Sequence, residues 1–316
     1  PPLIAIFGMA ASRTLFGGLG SATNPAAQAY VADRTSPAER TQALAGLTAA
    51  FGMGAVLGPA LAAAFVERIG VTPFMIAIAI VVGAAAIAVR MMLPENTPPR
   101  QQTRPINPIR QFAFALDKRL APFVLFGAGF WTIQASSLTV IGFFLMNRLE
   151  LTPDQGLQFS GVALMAGAGA LIFAQLVVIP ALKASPRTLM GLGAGIAVLG
   201  NLEMLIAANY AAIVFGYIML SFGFGLARSG FTGGASLAVS PEEQGKAAGV
   251  TTATAGLGFA IAPVGALFLF QTFGDITPYL ANAVLAAALI VLAIMHPAIR
   301  AASNEAEVTP EPRSPV

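Results

Sequence analysis

The chain has 316 residues, of which 56% are apolar types and only 10% are charged. A soluble domain averages about 25% charged residues, so this composition excludes a soluble globular fold. The formal net charge is +3, there is no cysteine, and the basic residues lie in short loops. This pattern excludes disulfide bonds and favours contact with a membrane surface over nucleic acid.

Nine apolar segments recur along the chain, and each is long enough to cross the hydrocarbon core of a bilayer. We place them at residues 3–32, 41–66, 72–93, 122–147, 157–182, 188–208, 210–237, 245–271 and 277–297. The sequence therefore predicts an all-α integral membrane protein with about nine transmembrane helices.

The segment at residues 94–121 is polar and basic, and it predicts a linker between two helical bundles. Three predicted helices precede it, in a partial N-terminal bundle at 1–93, and six follow it, in a bundle at 122–297. The tail at 298–316 is rich in Pro, Glu, Ser and Ala, so we expect it to be disordered.

Lysine and arginine are distributed unequally between the two sides of the predicted membrane. With the linker placed inside, thirteen of these residues lie inside, and only Arg68 and Arg148 lie outside. The positive-inside rule then places the linker and the C-terminus in the cytoplasm. We expect the inner (plasma) membrane of a bacterium.

The chain also contains an internal repeat with an offset of 204 residues and no gap. The matched positions are 36–39 with 240–243, Gly52 with Gly256, Gly54 with Gly258, Pro59 with Pro263, and Gly70 with Gly274. Both copies run in the same direction through the predicted membrane, as in transporters with two parallel halves.

The repeat predicts that the first half should also have six helices. We therefore expect three further helices upstream of residue 1. The alternative is a genuine nine-span protein, which would leave half of a bundle without packing partners.

The second apolar segment carries a run of small residues that ends in Gly-Pro. The run is Gly54-Ala55-Val56-Leu57-Gly58-Pro59-Ala60-Leu61-Ala62-Ala63. It resembles the fifth-helix antiporter motif of drug–proton exporters in the major facilitator superfamily, although two alanines replace the motif's final glycines. The resemblance implies a role in conformational change for Gly54, Gly58 and Pro59, and for Pro263 in the repeat. Plain packing of small residues is the alternative.

The first apolar segment carries Arg13 and Gly17, which resemble the Arg-x-x-x-Gly of the family's fourth-helix motif. Arg13 lies about ten residues into the segment, near mid-depth, where a charge is costly and by default marks function. The resemblance implies that Arg13 couples transport to protons. The alternative is a structural ion pair with a carboxylate on another helix.

The stretch 29–40 looks like the inner loop of tetracycline and multidrug exporters. Together these resemblances cover residues 1–297 and imply a major facilitator fold, in the drug–proton antiporter branch. They also imply that the first, fourth and seventh segments line a central cavity.

Polar and aromatic side chains in those three segments are the candidate substrate residues. They are Asn24 and Gln28 in the first segment, Trp131, Gln134, Phe143 and Asn147 in the fourth, and Arg228 in the seventh. The aromatic rings could stack on a planar compound, and a buried amide needs a partner. A cavity-facing Arg228 would favour an anionic group on the substrate or a buried carboxylate. Ordinary core packing is the alternative.

The sequence has no Walker motif, no metal-ligand cluster and no nucleophile paired with a base. We therefore expect neither an enzyme nor a cofactor nor a metal. The expected function is proton-coupled efflux of small amphipathic compounds by a monomer that uses alternating access. An uptake symporter or facilitator of the same fold is the alternative.

Overall fold

The computed structural model describes residues 68–93, 113–182, 184–240 and 243–308, together with positions 23, 27, 30, 54, 58, 61, 62, 65 and 66. Residues 1–58 and 59–316 form two compact units. In the first unit, all the described positions are helical. In the second, the described residues include seven helices that are long and apolar enough to cross a membrane.

These seven helices each coincide with a predicted apolar segment, to within a few residues. They are α1 (Val71–Met92), α2 (Ala121–Arg148), α3 (Pro153–Leu182), α4 (Pro186–Ile206), α5 (Tyr210–Leu237), α6 (Gln244–Phe273) and α7 (Thr277–Met295), and a shorter α8 (Pro297–Val308) follows them. The described residues contain no strand, so the all-α membrane fold is confirmed. The segments predicted at 3–32 and 41–66 fall almost wholly outside the described residues.

Short connections make consecutive helices from α2 to α7 alternate in direction, and side chains cap the starts of α3, α4 and α5. Thr152 and Gln155 form a reciprocal capping box at the start of α3. Ser185 and Asn209 each accept a backbone N–H in the first turn of α4 and α5, respectively. We call the end where α2, α4 and α6 begin the linker end, and the opposite one the far end.

Helices α2 and α6 run parallel and stay in contact along most of their length. Three contacts join residues that are 127 apart in sequence: Gly127 with Thr254, Trp131 with Gly258, and Phe143 with Phe270. The constant offset extends over sixteen residues, or about 24 Å of helix. The two helices therefore share one direction and one register.

Helices α4 and α5 are antiparallel and meet along a line of glycines. A Cβ built on Gly193 would lie 2.5 Å from the carbonyl oxygen of Gly223, and one on Gly200 would lie 2.9 Å from that of Gly216. A Cβ on Gly230 would lie 2.8 Å from the backbone of Met190. We call these five glycines the glycine seam. Because no side chain fits between the backbones, the two helices approach as closely as helices in a membrane can.

Basic side chains tie helix ends together on both sides of the bundle. At the far end, Arg148 donates to the carbonyls of Leu205 and Ala207 at 3.0 Å and pairs with Asp275 at 3.8 Å. These bonds satisfy carbonyls that the end of α4 leaves without helical partners.

At the linker end, Arg119 joins α2 to the start of α6 through ion pairs with Asp117 at 2.9 Å and Glu243 at 3.2 Å. The hydrogen bonds from Arg119 hold the pKa of Asp117 below its usual range. Both pairs are half-exposed, so they position the helix ends more than they stabilise the fold.

The tail prediction is wrong for residues 298–308, because the chain continues as α8. Ile299, Ala302 and Ser303 are buried on one face of this helix. The hydroxyl of Ser303 accepts the backbone N–H of Arg187 at 3.1 Å, in the first turn of α4. Arg300, between these buried positions, is exposed, as expected of an amphipathic helix.

The repeat is visible in the backbone at Gly70 and Gly274, which are matched by the 204-residue offset. Gly70 has φ 81° and ψ 162°, and Gly274 has φ 100° and ψ 167°. This region of backbone space is almost restricted to glycine. Gly70 precedes α1 and Gly274 ends α6, so the two copies turn the chain in the same way.

We predict that Gly274→Ala destabilises the protein by about 1–3 kcal/mol, because alanine is strained at this backbone conformation. The matched control is Gly265→Ala in the same helix, where a Cβ would meet no described atom within 4 Å and φ is helical. Thermal unfolding in detergent, followed by circular dichroism, measures both variants. Equal stability of the two variants would contradict the prediction.

Candidate functional site

Two of the predicted substrate residues, Trp131 and Arg228, lie together although they come from different helices. The guanidinium carbon of Arg228 lies over the Trp131 ring, 5.6 Å from its centroid. Trp131 is ten residues from the linker end of α2 and Arg228 is nine from that of α5. These positions correspond to about 14–15 Å, or mid-depth in a hydrocarbon core of about 30 Å.

Two phenylalanines complete the aromatic surroundings of Trp131. Phe224 on α5 meets its ring edge-on at 4.7 Å, and Phe259 on α6 lies at 5.8 Å. Phe224 is 3% exposed, whereas Phe259 is 44% exposed. Trp131 therefore packs against one buried ring, that of Phe224, and lies beside one exposed ring, that of Phe259.

Gln134 lies one turn further along α2 than Trp131 and is half-buried. Its side-chain amide makes no hydrogen bond to any residue that the structure describes. We refer to Trp131, Gln134, Phe224, Arg228 and Phe259 as the α2–α5–α6 site.

The Arg228 guanidinium has five N–H donors, and none of them bonds to a described residue. Side chains lean toward the N-terminus of their helix. Because α5 begins at the far end, Arg228 leans away from the nearer membrane surface, which opposes snorkelling. A mid-membrane arginine costs about 2.5–3.5 kcal/mol on insertion scales, and a cation–π contact returns about 0.5–2 kcal/mol. The contact with Trp131 therefore offsets only part of the free-energy cost of placing Arg228 in the membrane.

The other predicted substrate residues are not part of this group. Phe143 packs on Phe270 about 18 Å further along α2, and the exposed Asn147 lies about 24 Å away, at the far end. Asn24 and Gln28 lie outside the described residues, as do Arg13, Gly17 and Pro59 from the resemblance motifs.

Gly54 and Gly58 are the two glycines of the small-residue run that the structure describes, and the residues between and just after them are not described. A close helix crossing is seen at Gly258, the repeat partner of Gly54, where a Cβ would be 2.6 Å from the backbone carbonyl carbon of Trp131. Pro263 lies inside α6, half-buried. The conformational role of Gly54, Gly58, Pro59 and Pro263 stays a prediction.

Sequence reasoning missed Phe224 and Phe259 as members of the site. Phe224 precedes Arg228 by four residues, a spacing that places two side chains on one helix face, and this signal could have found it. Phe259 follows the repeat glycine Gly258, but nothing in the sequence indicates that α6 lies against α2. Within the described residues, no cluster of His, Asp and Glu could hold a metal ion.

We predict that Gly258→Ala forces α2 and α6 apart at Trp131, because the new methyl group would collide with backbone atoms that cannot rotate away. Overpacking of this kind commonly costs about 1–3 kcal/mol. Trp131 is the single tryptophan of the chain, so its emission maximum should shift together with the loss of thermal stability.

The control is Gly256→Ala, two residues earlier in α6, where a Cβ has no described atom within 4 Å. It should leave emission and stability unchanged. A Gly258→Ala variant that behaves like this control would show that the crossing at Trp131 is not tight.

The chain matches the family model described as Major Facilitator Superfamily over residues 2–183. A comparison with curated protein sequences gives no match. The fold is similar to that of a bacterial homolog of the human lysosomal transporter Spinster in an inward-facing and occupied conformation. That comparison has a TM-score of 0.53 and 15% identity, and covers 90% of this chain and 72% of that one.

A second similar structure is a mutant of the peptide transporter POT in complex with sulfate, with a TM-score of 0.47 and 16% identity. The match covers 55% of this chain and 37% of the peptide transporter, so the chain spans well under half of that protein's length. Identities this low show a likeness of fold alone. Because the family model covers more than half of an all-helical membrane chain, this protein belongs to the Major Facilitator Superfamily, a family of transporters rather than enzymes.

Proposed function

We propose that the protein is a secondary transporter that exports small amphipathic compounds in exchange for protons. The observation that carries the proposal is the α2–α5–α6 site, where an arginine and an indole ring meet at mid-depth. Sites of transported substrates lie near the bilayer midplane in this class of protein. A site with one charged group among aromatic rings suits a compound that has both a polar and an apolar part.

Alternating access requires two related halves that rock about a shared site. The 204-residue repeat supports two such halves, and the matched backbone conformation of Gly70 and Gly274 supports the repeat. On this proposal, the substrate residues are Asn24, Gln28, Trp131, Gln134 and Arg228. Phe143 and Asn147 would line its far end.

Our proposals for the direction of transport and for the coupling ion are based on the sequence alone. The run ending in Gly58-Pro59 favours an exporter of the drug–proton antiporter branch, and Arg13 is our candidate for proton coupling. We further propose a monomer in the bacterial inner membrane with its C-terminus in the cytoplasm. Its partners would be a small-molecule substrate, protons and the lipid bilayer. Uptake by symport or facilitated diffusion is the second candidate, since the fold serves both directions.

Arg13→Ala should lower proton-driven export about tenfold or more, which is within the usual range of coupling free energies. Arg13→Lys should restore part of the activity, because lysine keeps the charge and loses the planar fork. Accumulation of a fluorescent amphipathic compound in cells, with and without a proton gradient, measures the effect.

The control for this experiment is Arg90→Ala, which removes an exposed arginine from the last turn of α1 and should transport normally. Membrane expression must be equal for all variants. Gradient-dependent export that survives in Arg13→Ala would remove Arg13 from the coupling mechanism. Vesicles with an imposed proton gradient decide the direction, since a symporter would carry the compound along with the protons.

A further inference from the structure

Arg228 differs from the other arginines that bridge helices in the described part of the chain. Arg119 and Arg148 supply every ion pair found there, and both lie at helix ends. Arg228 lies at mid-depth and is exposed, and its guanidinium lies over the face of Trp131. Its planar set of N–H donors therefore faces outward from the bundle without an acceptor among the described residues.

The described carboxylates cannot reach Arg228, because all of them lie near the two ends of the bundle. Asp117 and Glu243 lie at the linker end, and Glu150, Asp154, Glu203 and Asp275 lie at the far end. Among the residues that the structure describes, the positive charge in the middle of this bundle therefore has no negative charge near it. In a region of low dielectric constant, such a charge attracts an anion strongly.

The rings around Arg228 determine the kind of anion that fits. Phe259 is 44% exposed and lies next to Trp131, so the two rings form an open apolar border beside the guanidinium. Gln134, one turn from Trp131, offers a further free amide. A flat apolar body that bears an anionic group would satisfy both the rings and the guanidinium.

The same arrangement disfavours cations. Aromatic faces are the usual receptors for organic cations in apolar sites, but here a guanidinium already covers the face of Trp131. A cationic compound would have to displace Arg228 and would be repelled by its charge.

We infer that the α2–α5–α6 site selects compounds that carry a carboxylate or a similar anionic group on a planar apolar body. The guanidinium of Arg228 binds the anionic group through paired N–H donors, and Phe259 and Trp131 contact the ring. This inference rests on the proposed function and narrows its substrate class from amphipathic compounds to anionic aromatic ones.

The single tryptophan of the chain allows a direct test, since its fluorescence reports on this site alone. The probes are para-bromobenzoate and its uncharged isostere para-bromobenzamide, whose bromine atoms quench a neighbouring indole, with para-bromobenzyltrimethylammonium as the cation. They are titrated at neutral pH into the purified protein in a detergent with uncharged headgroups. A Trp131→Phe variant verifies the source of the signal.

We expect saturable quenching, with half-quenching by the benzoate at a concentration about tenfold below that for the benzamide, as expected for a charge-assisted hydrogen bond. Arg228→Gln should reduce this ratio to about one, and Arg228→Lys should leave an intermediate preference. Arg300→Gln removes an exposed arginine from α8 and should leave the ratio unchanged.

Equal or tighter binding of the benzamide or the cation by the wild-type protein would overturn the inference, and so would a benzoate preference that persists in Arg228→Gln. The wild-type comparison decides the matter even if Arg228→Gln does not fold. Anion-selective binding without proton-driven export would overturn the proposed function and leave this inference standing. Export of neutral or cationic compounds without anion selectivity would overturn this inference and leave the proposed function standing.

Discussion

Helices in a bilayer gain no hydrophobic free energy by meeting one another, because lipid tails are as apolar as their side chains. Close backbone contact has to hold the bundle together, and the rest of the structure depends on where that contact is possible. The glycine seam provides it between α4 and α5, where the missing side chains of the glycines let the two backbones approach. Gly258 provides it between α6 and α2, directly at the backbone of Trp131.

These close contacts explain how the structure keeps a charge at mid-depth in a defined place. Arg228 is on α5, whose position is fixed by the glycine seam, and Trp131 is on α2, whose position is fixed by Gly258. Arg148 shows the contrasting case, because its guanidinium donates to two carbonyls and pairs with Asp275 at the far end. For Arg148, which joins helix ends, the bundle supplies the hydrogen-bond acceptors and the ion-pair partner. Arg228 contacts the Trp131 ring, and no described residue accepts a hydrogen bond from its guanidinium.

Hydropathy predicted α1 to α7 well, because a span needs about 20 apolar residues and the connections here are short and polar. It also selected Trp131 and Arg228, since charged and aromatic groups are conspicuous in apolar segments. The contact between them was not predictable, because pairing of α2 with α5 and α6 is a property of the packed bundle. For the same reason Phe143 and Asn147 shared a segment with Trp131 without sharing its site, and the repeat alone could not show that Gly258 lies against the backbone of Trp131.

Helix α8 extends the C-terminal bundle beyond the end of its last membrane-spanning helix, α7. Hydropathy placed the boundary at residue 297, two residues after the end of α7, and predicted a disordered tail beyond it. Yet Ser303 accepts a backbone N–H in the first turn of α4, and Arg187 donates to the carbonyl of Ile294 at 2.8 Å. Truncation at the membrane surface would expose the start of α4 and leave one of its amides without a partner. The folding unit therefore extends at least to Ser303, and a tag or fusion partner belongs beyond α8.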